Sequence, residues 1–414
     1  MSKIEWTGET WNPIVGCSIV SPGCTNCYAM KMAARILNIT AGKALEKARM
    51  VRAGFIDYGT PEQRQDELQA LRSHPSHYDG TIKYVNSKPV WTGRMALAPE
   101  HIITKPLRWS KPRTVFVNSM SDLFHEDVPD EWIDKVFAVM ALTPQHTYQV
   151  LTKRSARMQA YIARADDEHG DFFERLADAA VAISDNPCAA HVDSIDWPLP
   201  NIWLGVSAER QQEADDRIPY LLNTPAAVRF VSAEPLLGPI DFDAVKYTHT
   251  AGFFGGALRW HHRGHCHVQE GLRYPSLDWV IVGGESGPGA RPMHPDWARG
   301  IRDQCQAAGV PFFFKQWGEW SVSIDRDRDD PDWRLDYTHE YADARPSCWL
   351  NFDGGRGFHG SRFHVMRQIG KAKAGRLLDG REWNEMPSRS PAPSGRPPGG
   401  ESEGAGKETE ERQP

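Results

Sequence analysis

Ile202-Trp203-Leu204-Gly205-Val206 is apolar at every position, and Ser207 and Glu209 follow at once. A strand with one wet face alternates apolar and polar residues. An unbroken apolar run instead points to a strand buried on both faces, as in a parallel sheet covered by helices. Five more runs are near-continuous in the same way: Val115-Phe116-Val117, Tyr148-Gln149-Val150-Leu151, Val228-Arg229-Phe230-Val231, Trp279-Val280-Ile281-Val282 and Phe312-Phe313-Phe314. Where nothing intervenes they recur about every 26 to 33 residues, the length of a β-α unit. Two longer gaps carry insertions, near residues 165–200 and 243–277.

Helix signals fill the spaces. Pro129-Asp130 opens a segment with Ile133, Phe137 and Met140 at helical spacing, and Pro144 closes it. Pro295-Asp296 opens another, with Trp297, Ile301 and Cys305 on one stripe, which makes Cys305 a core residue. Two weaker strands, near 11–15 and 90–97, raise the number to eight. The expected fold class is therefore α/β, a TIM-type (β/α) barrel, complete or partial, with two insertions. Residues 1–387 make this single domain. The tail 388–414 is rich in Pro, Gly, Ser and Glu, buries too little apolar surface to order itself, and is expected to be disordered.

Composition narrows the class. In 414 residues, 40% are hydrophobic and 25% charged, enough for a sizeable core. A net charge of −6 argues against a protein that coats nucleic acid electrostatically, though not against a local basic cleft. No apolar run approaches the roughly 20 residues of a membrane span, and the N-terminal residues lack the apolar stretch of a signal peptide. Seven cysteines in a chain of this length suit a reducing, cytoplasmic setting rather than a disulfide scaffold.

Polar groups follow every strand run. They are Asn118, Ser119, Ser121 and Asp122; Thr152, Lys153 and Arg154; Ser207 and Glu209; Ser232 and Glu234; Gly283, Gly284, Glu285 and Ser286; and Lys315 with Gln316. In a parallel barrel these ends share one mouth. A single such residue reads as a helix cap or a solvated loop; six clusters in succession read as a site. Asp122, Lys153, Arg154 and Lys315 are the catalytic candidates. Ser207, Glu209, Ser232, Glu234, Gly283, Gly284, Glu285 and Ser286 are the cofactor-binding candidates. Lys315, beside three phenylalanines, calls for a partner or a lowered pKa. The glycines equally suit a tight turn, and the glutamates equally suit pairing with Lys153, Arg154 or Lys315.

Cys17, Cys24 and Cys27 lie within eleven residues, spaced C-x6-C-x2-C around a Ser21-Pro22-Gly23 turn. Three thiolates with no fourth ligand between residues 1 and 60 fit an iron–sulfur cluster with one open iron. Zinc is the alternative on spacing alone. His261, His262, His265, Cys266 and His267 are dense enough in ligands for a second metal site, or form a solvated loop.

At these residues the chain resembles the phage Gp37/Gp68 family, the three-Cys-motif family (DUF5131). The resemblance rests on Glu5-Trp6-Thr7, Thr10-Trp11-Asn12-Pro13, the cysteines ending in Cys27-Tyr28-Ala29, and Asn118-Ser119-Met120-Ser121-Asp122-Leu123-Phe124. Leu151-Thr152-Lys153-Arg154, Ser232-Ala233-Glu234-Pro235, Gly283-Gly284-Glu285-Ser286-Gly287 and Phe314-Lys315-Gln316-Trp317-Gly318 continue it across residues 4–387. The cysteine motif is likened to that of radical SAM enzymes. That likeness implies a [4Fe–4S] cluster on Cys17, Cys24 and Cys27, with S-adenosylmethionine on the open iron. Reductive cleavage would give a 5′-deoxyadenosyl radical, and groups such as Ser207, Glu209 and Glu234 would hold the cosubstrate. The first cysteine gap is six rather than the usual three, and Asn26 stands where an aromatic usually precedes the last cysteine. The implied substrate is a nucleic acid or a protein partner. The alternatives are a zinc-stabilised binding protein without redox chemistry, and a metal-dependent hydrolase or nuclease using Asp122, Glu209 and Glu234.

Overall fold

The computed structural model describes residues 4–53, 56, 60–73, 76–166, 171–248, 254–258, 275–324, 346–356 and 363–388. Its centre is a seven-stranded, wholly parallel sheet. The strands are β1 (Glu9–Trp11), β2 (Thr114–Val117), β3 (Thr147–Thr152), β4 (Ile202–Ser207), β5 (Val228–Ala233), β6 (Trp279–Gly283) and β7 (Phe312–Gln316). They lie side by side in chain order. Such single winding puts every crossover on one face, as in a barrel. Among the described residues β1 and β7 are edge strands, so the sheet is a partial barrel.

The expected eighth strand is not part of it. Residues Lys88–Trp91 pair with Ile82–Val85 in a hairpin, and Ala96–Leu97 pairs antiparallel with Ile14–Val15. The first barrel strand also sits a little earlier than expected, at Glu9–Trp11. A further antiparallel sheet of β8 (Trp320–Ile324), β9 (Ser347–Asn351) and β10 (Phe363–Gln368) follows β7. The tail from 389 onward and the segment 261–267 lie outside the described residues.

Residue parity builds two cores. Val115, Val117, Val150, Leu204, Val206, Val231, Val280 and Val282 point outward into one cluster with the helices. These helices are α3 (Asp130–Ala141), α4 (Ser155–Ile162), α5 (Phe172–Ser184), α6 (Gln211–Leu222) and α7 (Pro295–Ala308), whereas α1 (Tyr28–Arg52), followed by α2 (Pro61–Ser73), packs Ala29, Met30 and Ala33 in a separate cluster with Tyr78, Trp91 and Met120. In α3, Ile133, Phe137 and Met140 are fully buried, and in α7 so are Ile301 and Cys305. The insertion near 165–200 supplies α5, which packs on α3. Gly309 ends α7 with φ +68°, the left-handed cap that glycine adopts without a Cβ clash.

The alternate residues point inward. Phe116, Trp203, Phe230, Trp279, Ile281 and Phe313 close around Trp6. The Trp6 ring meets Phe116 edge-on at 4.8 Å and Trp279 at 6.1 Å, so the N-terminal segment plugs the sheet's inner side. Gly205, opposite Phe230 in register, leaves the space that ring fills: a Cβ there would lie 2.5 Å from it. Past this apolar layer, the same parity turns Ser207, Ser232, Glu234, Gly283 and Lys315 toward the mouth.

Candidate functional site at the sheet's carboxyl end

The loop carrying the cysteines lies across the strand ends. Asn118, just after β2, takes a left-handed φ of +58°, which asparagine tolerates better than most residues. Its amide donates to the Trp11 carbonyl and its Oδ1 accepts from the Ile14 amide, aligning the loops after β1 and β2. From there 17–27 reaches successive strands. Arg154 Nη1, after β3, lies 3.6 Å from Cys17 Sγ. Ser21 Oγ donates to Glu209, after β4, at 2.9 Å. Asn26 Nδ2 donates to Glu285, after β6, at 3.0 Å.

Three carboxylates, Glu209 and Glu285 buried and Glu234 half-buried, organise the mouth. Glu209 is wholly inaccessible and takes Lys153 Nζ and Arg217 Nη1, the latter at 3.1 Å. Gly23 packs directly over it, for a Cβ at Gly23 would fall 2.2 Å from Glu209 Oε1. Glu234 accepts from Trp6 Nε1 (3.3 Å) and Ser232 Oγ (3.1 Å) and pairs with Lys315 Nζ at 3.1 Å. Lys315 therefore has the partner its setting demands. Glu285 accepts from the Arg291 amide (2.8 Å), Nε (3.0 Å) and Nη2 (2.5 Å). Burial pushes its carboxyl up, but these hydrogen bonds and Asn26 outweigh it and hold the group below its ordinary range.

Asp122 has a positioning role. Thr152 Oγ1 (2.6 Å), the Lys153 amide (2.8 Å), Arg154 Nη1 (3.1 Å) and the Phe124 amide (3.1 Å) all donate to it. That fills a carboxylate's lone pairs and fixes Arg154 beside Cys17. Burial opposes the Arg154 charge, yet Asp122, Cys17 and Glu126 hold its guanidinium above the usual range. Ser18 Oγ accepts from Arg154 Nη2 at 2.7 Å and reaches His125 Nε2 at 2.8 Å.

The glycines have packing roles. Gly283 makes room for the Glu234 carboxylate, since a Cβ there would lie 2.3 Å from Oε1. Gly284 lets the Trp317 carbonyl approach, and its amide donates to the Gln316 carbonyl at 2.8 Å. Ser286 Oγ donates to Gln316 Oε1 at 3.4 Å, and Ser207 contributes its carbonyl to Arg217. Ser21, Asn26, Arg217 and Arg291 were not among the expected site residues. Arg217 carried a faint signal, at helical spacing from Glu213 on the buried stripe of α6.

The three thiols differ. Burial pushes Cys17 up to about 12, with Asp122 adding to it, and burial also raises Cys27. At Cys24 burial raises the pKa too, but Lys153, backbone groups of Val20 and Ser21, and the Ser21 hydroxyl bring the net shift below the ordinary thiol value. In turn burial lowers Lys153 to about 8. The expectation that the three sulfurs draw together around one centre is not met. No set containing all three closes to within 4.8 Å among the described residues. Four-coordinate zinc, with Zn–S near 2.3 Å, holds its sulfurs roughly 3.8 Å apart. The cysteine loop does not have that geometry; thiolates on separate irons of a cluster are spread more widely.

One other set does close to 4.8 Å: His294, Asp296 and His364. It lies at the start of α7, where His294 Nδ1 accepts from the Asp296 amide (3.1 Å) and caps the helix. Asp296 pairs with His364 Nε2 at 3.5 Å and with Arg299 at 3.1 Å. These contacts tie α7 to β10. Among the described residues, Asp122, Glu209 and Glu234 do not all bring carboxylate oxygens within 4.8 Å of one another. No described helix is long and apolar enough to cross a membrane.

No curated protein and no solved structure matches the chain. A family model described as "Protein of unknown function (DUF5131)" matches residues 1–387, which takes in the cysteine loop, all seven strands and the three carboxylates. The chain belongs to the DUF5131 family.

Proposed function

We propose that the mouth is the site of an iron–sulfur enzyme of radical SAM type, in which Cys17, Cys24 and Cys27 hold a [4Fe–4S] cluster. The observation that carries this reading is the seating of the cysteine loop across four strand ends of a partial parallel barrel. A thiol at Cys24 is eased toward its thiolate by Lys153, and Arg154 stands beside Cys17. Cations near coordinating sulfurs offset the negative charge that thiolates bring. With S-adenosylmethionine bound, such a cluster supplies one electron for reductive cleavage of the sulfonium C–S bond.

The chain's own residues would bind and shield. Asn118 Nδ2 and Ser121 Oγ are buried without a hydrogen-bond partner among the described residues, and both follow β2 at the rim of the mouth. A buried donor left unsatisfied costs about 1–3 kcal/mol, so polar atoms of a bound cosubstrate are their natural partners. Glu209, Glu234 and Glu285 are each neutralised by a cation, which keeps a deep polar floor folded and water-poor. The Trp6 plug beneath them excludes solvent from the inner side.

The test is anaerobic reconstitution with iron and sulfide, followed by metal analysis and visible absorbance. Uptake of ~4 iron atoms per chain, lost in Cys17→Ala, Cys24→Ala and Cys27→Ala but kept in Cys305→Ala, supports the reading. Iron uptake indifferent to the three cysteines overturns it.

A further inference from the structure

We infer that the groove between α1 and the hairpin Ile82–Val85/Lys88–Trp91 is a docking site for single-stranded nucleic acid, leading into the mouth. This deepens the reading above by naming a substrate class for the same site. Its test does not depend on any cluster.

Charge is strongly segregated here. The chain as a whole carries a net −6. Yet α1 bears Lys31, Arg35, Lys43, Lys47, Arg49 and Arg52 against Glu46 alone, and the hairpin adds Lys83 and Lys88 with no carboxylate. All eight cations are exposed. Between helix and hairpin lies a groove of about 480 Å³, lined by Lys31, Arg35, Asn38 and Ile39 on one side and Tyr84 and Pro89 on the other. Tyr84 is 58% exposed and Ile39 47%, an unusual outlay of apolar surface beside so many cations. Cations tracking a backbone next to an exposed aromatic face are what an unpaired strand recognises: phosphates on the charges, a base stacked on the ring. A duplex hides its base faces and cannot use Tyr84.

The groove also points somewhere. Lys31 Nζ donates to the Pro288 carbonyl at 3.4 Å, in the loop after β6 that carries Glu285. One turn earlier, Tyr28 Oη donates to the Ser119 carbonyl at 2.9 Å, in the loop after β2. The groove-lining end of α1 therefore abuts the mouth, next to Cys27 at the helix start. A strand held on Lys31 and Arg35 can extend a nucleotide over the site.

The experiment is fluorescence anisotropy of the full chain with a fluorescein-labelled single-stranded DNA 12-mer and its RNA counterpart, from 50 to 200 mM salt. Engaging about four cations predicts a log–log salt slope near −3. Lys31→Glu with Arg35→Glu should weaken binding more than tenfold, and Tyr84→Ala about tenfold, with Tyr84→Phe near wild type. Lys111→Glu, at the opposite end of the sheet, should leave binding unchanged, and circular dichroism should be the same for all variants. Absence of binding at 50 mM salt, or equal binding by every variant, overturns the proposal. So does loss on groove substitution of binding to phosphatidylcholine–phosphatidylserine vesicles alone, which would make the surface a membrane contact.

Discussion

Gly23 rests on Glu209: a Cβ at Gly23 would fall 2.2 Å from Oε1, and Glu209 is pinned from its other sides by Ser21, Lys153 and Arg217. The cysteine loop is thus seated on a carboxylate that follows β4, and the seat has no slack. Gly23→Ala should cost about 1–3 kcal/mol in urea unfolding, the usual range for overpacking a tight site. It should also lower iron retention while leaving the far-ultraviolet circular dichroism intact. Unchanged retention and unchanged midpoint would show that the loop seats elsewhere.

Glu209 itself neutralises two cations in a fully buried position. Removing one partner from a buried ion network leaves uncompensated charge, so Glu209→Gln should destabilise by about 3–5 kcal/mol. Lys153→Met in the same background should recover part of that loss, because one stranded cation disappears. Equilibrium denaturation of the single and double variants reads both numbers, and strict additivity would contradict the coupling.

Cys24 should be the most readily ionised of the three thiols in the metal-free chain. Its pKa is lowered against the pull of burial, largely by the Lys153 ammonium, while Cys17 is pushed up to about 12 and Cys27 is also raised. Lys153 keeps its proton below about 8 and loses it above, so its support for the thiolate is present at neutral pH. Labelling with a small methanethiosulfonate at pH 7, read by peptide mass spectrometry, should modify Cys24 first. Lys153→Met should slow that reaction severalfold; an unchanged rate would remove Lys153 from the account.

Most of the sheet was legible in the amino-acid sequence, because strands buried on both faces leave near-continuous apolar runs such as 202–206 and 279–282. Their position just past those runs also placed Ser207, Glu234 and Lys315 at the mouth. The eighth strand was misread because 88–97 is apolar only in short pieces, and antiparallel pairing with 82–85 and with 14–15 satisfies them locally. The sheet β8–β10 lies outside that pattern of unbroken apolar runs: Trp320-Ser321-Val322-Ser323-Ile324 alternates, the mark of a strand with one wet face rather than of the buried parallel sheet. At the site, the acids and cations were visible, but their pairing was not. Glu209 chose Arg217 and Lys153, and Glu285 chose Arg291 and Asn26, partners up to 259 residues away whose meeting depends on loop paths. Nor does a glycine in a Ser-Pro-Gly turn announce that a carboxylate will press against it.

The Asp296 carboxyl links α7 to β10 through His364. Burial raises its pKa, but hydrogen bonds and charge from His364, together with Arg299, hold it well below the ordinary 3.8. A depressed carboxyl contributes stability that is present above its unfolded value and is lost as pH falls toward its folded one. The acid limb of the stability profile should therefore steepen below about pH 4, and Asp296→Asn should flatten it. Identical limbs in the two proteins would mean that the pair is not formed in solution.

The most direct measurement is of 5′-deoxyadenosine. The anaerobically reconstituted chain is reduced with dithionite in the presence of S-adenosylmethionine, and the products are separated by chromatography with mass detection. Formation of 5′-deoxyadenosine and methionine in equal amounts, absent from the Cys17→Ala, Cys24→Ala and Cys27→Ala proteins, is the predicted result. Stoichiometric zinc with no iron uptake and intact S-adenosylmethionine would contradict it.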